Sequence, residues 1–103
     1  MKTAIITKGA LALAGVLLLS APVSAGTCLR MRITANGAKI HFLQKPVMVR
    51  ARASAAANWS RLAAIRAGAA YRRWENAGAR KMHCGWLNRS YYRCVATATP
   101  CRR

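Results

Sequence analysis

Over residues 54–79 the apolar positions fall in steps of three and four: Trp59, Ala63, Ala67, Ala70, Trp74 and Ala77. That spacing lays them along one face of a helix, with a tryptophan near each end of an alanine floor that another element can approach closely. Arg61 and Arg72 fall opposite the stripe and are expected in water. Ser54 suits the N-cap, Gly68 weakens the interior, and Gly78 stands where a left-handed C-terminal residue is common.

Elsewhere the period shortens to two. Leu29, Met31 and Ile33 alternate with Arg30, Arg32 and Thr34, and a β-rich run over residues 39–43 follows Asn36-Gly37. Asn-Gly between such runs predicts a two-residue hairpin, with Ile33 facing Ile40 and Met31 facing Phe42. One side of that hairpin is apolar and suited to cover the tryptophan stripe; the other displays Arg30, Arg32 and Lys39. Past Pro46, residues 47–53 alternate like a third strand but equally suit a backward extension of the helix. Residues 82–87 and 91–97 flank a polar Asn88-Arg89-Ser90 turn and predict a second hairpin, stopped by Pro100. Trp86, Tyr91 and Tyr92 interleave there with Arg89 and Arg93, a pattern suited to stacking on ligands, although Trp86 is expected to help close the core.

The first 25 residues belong to none of this. Lys2 and Lys8 precede a short apolar run, and Val23-Ser24-Ala25 supplies small residues for cleavage after Ala25, so residues 1–25 are expected to be a secretory signal peptide. Ser20, Pro22, Ser24 and Gly26 interrupt the apolar stretch, which favours a cleaved leader over a membrane anchor of about 20 residues. The expected product is one domain, residues 26–103, destined for secretion or the periplasm.

A domain of that size has a core near the lower limit for folding unaided, so covalent staples are expected. Cys28, Cys84, Cys94 and Cys101 all lie in it and are even in number. Three pairings are open; closing a local hairpin favours Cys84 with Cys94, and tying the chain ends favours Cys28 with Cys101. The expected fold class is α+β: a small disulfide-stabilised domain with one long helix covered by one or two β-hairpins, Trp59 and Trp74 being its core aromatics.

Charge changes the picture most. The chain holds 18 Lys and Arg against one acid, Glu75, a formal net charge of +17. With Lys2 and Lys8 in the leader, the domain keeps 16 cations, 13 of them arginines suited to bidentate contact with phosphate or carboxylate. Such a chain repels itself and favours polyanions. No aspartate occurs, which excludes paired-carboxylate chemistry and a Ser-His-Asp triad. Glu75 reads as the surface partner of Arg72, and the cysteines lack the close CxxC pairing of a structural zinc site.

No catalytic residue, metal or cofactor is therefore expected. The sequence points to an exported, non-enzymatic cationic binding protein that engages anionic envelope polymers or a membrane surface through Arg30, Arg32, Lys39, Arg89 and Arg93. Nucleic acid is expected to bind only non-specifically. Two other classes stay open: a secreted membrane-active effector, and a structural or inhibitory disulfide scaffold for a protein partner. In general style the chain resembles small arginine-rich secreted proteins of bacteria, a likeness of composition that assigns no residue a role.

Overall fold

The computed structural model describes residues 26–103; the expected leader lies outside them. Over the described residues the protein is a small α+β fold with one α-helix, two sheets and two disulfides. In chain order these are β1 (Thr27–Cys28), β2 (Ile33–Asn36), β3 (Ile40–His41), α1 (Val47–Arg66), two 3₁₀ turns (Ala69–Tyr71 and Trp74–Asn76), β4 (Gly78–Trp86), β5 (Tyr91–Thr99) and β6 (Cys101–Arg102).

The helix is displaced toward the N-terminus relative to its expected span. Pro46, extended at φ −80°, occupies the N-cap, so residues 47–53 are helix and Ser54 lies inside it. The Ser54 hydroxyl instead accepts from the Ala38 amide at 2.7 Å, fastening the helix to the sheet. At the other end Gly68 adopts φ 111°, a region favouring glycine, and its amide bonds back to Ala63 and Ala64 carbonyls. Gly68 thus terminates the helix, and Gly78 opens β4. The stripe that is buried runs Ala51, Ala55, Trp59, Ala63, one residue per step of four. Trp74 still meets this stripe: it packs edge-on against Trp59 with ring centroids 5.3 Å apart.

The second hairpin forms as the sequence predicts. β4 and β5 pair antiparallel with Cys84 opposite Cys94, and the Asn88 side chain accepts from the Ser90 and Tyr91 amides to set the turn. The first hairpin does not form. β2 and β3 both run antiparallel to β5, Ile33 opposite Ala98 and Ile40 opposite Tyr92. Since β4 holds the other edge of β5 at the same residues, β2 and β3 lie end to end along one edge, and Ile33 does not face Ile40. Between them residues 37–39 oppose only Cys94 and Arg93, a one-residue bulge.

Gly37 explains why Asn-Gly makes a bulge here. Its amide donates to the Cys94 carbonyl at 2.8 Å, and a Cβ on it would stand 2.8 Å from the Ala55 nitrogen. The glycine answers to close helix approach and takes no positive φ. Asn58 and Trp59 complete the seam, donating to the Asn36 and Ile33 carbonyls at 2.7 and 3.0 Å.

Tyr92, Cys94, Ala96 and Ala98 of β5 point to the helix and are buried with Ile33, Ala35 and Ile40. Small residues dominate this core, which keeps helix and sheet close but limits the apolar area removed from water. Disulfides offset that deficit. Cys84 joins Cys94 across the hairpin, and Cys28 joins Cys101 where β1 pairs with β6 in the second sheet. Both favoured pairings are therefore present, and they point to an oxidising compartment, extracellular or periplasmic.

Candidate anion-binding face

The alternation that buries one side of β5 turns Tyr91, Arg93, Val95, Thr97 and Thr99 the other way. Register supplies their neighbours: Thr34 and Lys81 flank Thr97, His83 and Asn36 flank Val95, and His41 stands opposite Tyr91. No described element covers this side of the sheet. Thr34 and Thr97 hydroxyls share a hydrogen bond at 3.1 Å, so the middle of the face is a polar ladder with cations around it.

Each cation is held differently. Arg32 is pinned flat, one Nη donating to the Ala79 carbonyl at 3.1 Å and the other reaching Thr99 Oγ1 at 3.5 Å. That carbonyl is available because Ala79 sits at φ 48° in a bulge between Gly78 and Lys81. Lys39 lies over Tyr91, its Nζ 5.6 Å from the ring centroid, while His41 meets the same ring edge-on at 5.3 Å. Arg93 stands opposite Gly85, where a Cβ would meet nothing within 4 Å, so its flank is open.

Of the five expected anion-binding residues, Arg32, Lys39 and Arg93 share this face. Arg89 lies at the tip of the β4–β5 turn and Arg30 beside Pro100 at the far end of β5, roughly 27 Å away at the usual rise per residue. Lys81 and His83 join the face unanticipated, although their alternation with Met82 and Cys84 is visible in the sequence. Trp86 does not close the core: it is 51% exposed and packs edge-on against Tyr92 at 5.1 Å.

Glu75, the only acidic side chain, is in the second 3₁₀ turn and pairs with Arg73 at 3.0 Å, not with Arg72. The helix has ended before Arg72, so the expected three-residue spacing is lost. A backbone hydrogen bond at Glu75 and the Arg73 guanidinium hold its carboxyl below the usual carboxylate range. With that acid engaged elsewhere, the cations of the sheet face meet no acidic side chain. The face presents cations to solvent; it offers no carboxylate to work with either histidine.

No protein-family model matches the chain, and neither the curated proteins nor the solved structures contain a significant match to it. Among the described residues no helix is long and apolar enough to cross a membrane.

Proposed function

We propose that this is an exported, non-enzymatic binding protein whose basic sheet face engages anionic components of a cell envelope: lipopolysaccharide phosphates, acidic glycans or acidic lipid head groups. One observation carries the reading. Arg32, Lys39, Lys81 and Arg93 share an uncovered face of a rigid sheet with no acidic side chain to neutralise them. A fixed array of this kind binds polyanions with less ordering cost than a flexible basic tail.

The test is titration of the oxidised protein against heparin and lipopolysaccharide as salt rises from about 50 to about 300 mM, across which exposed charges become screened. Affinity should fall steeply. Changing Arg32, Lys39, Lys81 and Arg93 to glutamine should weaken binding more than the same loss of charge at Arg52, Arg61 and Arg66 on the helix and Arg72 just after it. Equal effects would show that charge acts diffusely, and no binding to any polyanion at low salt would end the proposal.

A further inference from the structure

A second surface lies at the end of the molecule where two connections meet. β3 stops at His41, α1 starts at Val47, and β4 turns into β5 after Trp86. The Phe42 amide donates to the Ser90 carbonyl at 2.8 Å, tying the two connections together. Together they form a groove of about 580 Å³ lined by Phe42, Pro46, Val47, Met48, Val49 and Trp86, with Lys45 the one charged residue lining it. Leu43 and Leu87 follow the lining residues Phe42 and Trp86 in the chain. Phe42, Leu43, Met48, Val49, Trp86 and Leu87 are each between 43% and 70% exposed, in a protein whose core is largely alanine. Large side chains are thus spent on water while small ones fill the interior. A clustered apolar surface of this sort marks an interaction site.

Charge selects the occupant. Lys45 borders the groove, Arg50 donates to the Lys45 carbonyl at 3.2 Å, Arg89 projects from the neighbouring turn, and Lys39 lies over Tyr91 beside it. A second copy would bring the same cations against these, and like charges in contact oppose association. A bilayer rich in anionic phospholipid offers both complements at once: phosphates for the cations, and the head-group boundary for an exposed tryptophan among aliphatic side chains.

We infer that this end is a shallow membrane-docking tip for anionic bilayers. Trp86, Phe42, Leu43, Met48 and Val49 enter the head-group boundary while Lys39, Lys45, Arg50 and Arg89 meet lipid phosphates. The inference rests on the anionic-envelope reading above, selects the bilayer from the ligands named there and adds the orientation in which it is met.

The tryptophans supply the test. Trp59 is fully buried and Trp74 half-buried, so the difference between the protein and its Trp86→Phe variant isolates the exposed indole. The oxidised protein, as delivered by an exporting host, is mixed with phosphatidylglycerol-containing or pure phosphatidylcholine vesicles carrying chain-brominated lipid. The Trp86 signal should be quenched with the anionic vesicles and not with the neutral ones. A Leu43→Ser, Met48→Ser, Val49→Ser variant, changed only at positions more than half exposed, should partition about tenfold or more weakly while keeping its heparin affinity.

Heparin binding without Trp86 quenching would overturn the tip and leave the proposed function standing. So would a triple variant that partitions like the parent, or a Trp86 shielded only by a polypeptide partner. Loss of both heparin and vesicle binding in the parent protein would remove the envelope reading itself. The quenching measurement on the unmodified chain keeps the test intact should the triple variant fail to fold.

Discussion

Removing the Cys28–Cys101 bond by changing both residues to alanine should destabilise the fold more than removing Cys84–Cys94. The bonds span 73 and 10 residues. Loop-closure entropy in the unfolded chain then gives about 4.4 kcal/mol for the long loop and about 2.7 kcal/mol for the short one at room temperature. Each bond also has one buried sulfur, at Cys101 or Cys94, so the cavity left behind is a similar addition to both and does not alter their order. A domain of this length is expected to be stable by about 4–12 kcal/mol in total. Loss of the longer bond alone therefore removes a third or more of the stability, and loss of both, about 7 kcal/mol together, removes more than half of it.

Urea unfolding of the oxidised protein and the two double variants measures this directly. The long-loop variant should have the lower midpoint. Both variants should unfold with a steeper denaturant dependence, because the unfolded chain without its cross-link exposes more surface. The opposite order of midpoints would refute the reasoning. It would mean that the two-residue strands β1 and β6 fray apart locally once the bond is gone, so that the ends regain their freedom without unfolding the helix and larger sheet.

Four further outcomes can be checked. Gly37→Ala should cost about 1–3 kcal/mol in urea unfolding, since its Cβ would press on the Ala55 backbone at 2.8 Å and neither element can yield cheaply. Trp59→Phe should cost about 1–3 kcal/mol, as a bonded Ile33 carbonyl loses its indole donor and a fully buried ring shrinks. Gly85→Glu should leave the midpoint nearly unchanged, having open space for the side chain, yet weaken heparin binding by placing a carboxylate opposite Arg93. For Glu75 the folded pKa lies below the unfolded one, so its stabilisation is present above the ordinary carboxylate range and lost as pH falls through the lowered value. Urea midpoints of the parent and Glu75→Gln should accordingly differ slightly at neutral pH and converge in acid; a gap that widens in acid would contradict the assignment.

Legibility in the sequence followed the range of the interaction. The β4–β5 hairpin was readable because its strands, its Asn88 turn and its cystine are neighbours along the chain. The β2–β3 pairing was misread because Asn36-Gly37 has the composition of a tight turn, while the partner that displaces it, β5, lies some 60 residues away. Residues 47–53 were ambiguous for a geometric reason. Ala51 satisfies the period of two with Val47 and Val49, and the i+4 row with Ala55, Trp59 and Ala63. Only burial against Ile33 and Ala35 decides between them. The apolar tip could not be read at all, because Phe42, Met48 and Trp86 belong to a connection, the helix and a strand that only the completed fold brings together.

The same closeness that makes the core alanine-rich dictates where the charge goes. Helix and sheet approach until Ala55 lies against Gly37, which leaves no space between them for a cationic side chain. The cations therefore stay outside, and the outer surfaces are not equivalent. Those on the helix diverge around a cylinder. Those on the sheet are strung along one side of β5, from Arg32 at Thr99 to Lys39 at Tyr91, a span of roughly 27 Å at the usual rise per residue. Arg32 is further immobilised by Ala79 and Thr99, and Lys39 by Tyr91. Their mutual repulsion is incurred on folding, and under the proposed function a polyanion covering them would relieve it and so link ligand to fold. Charge carried for solubility alone would be served equally well by the helix, so this uncovered basic side of the sheet is where the proposed anion binding is to be tested.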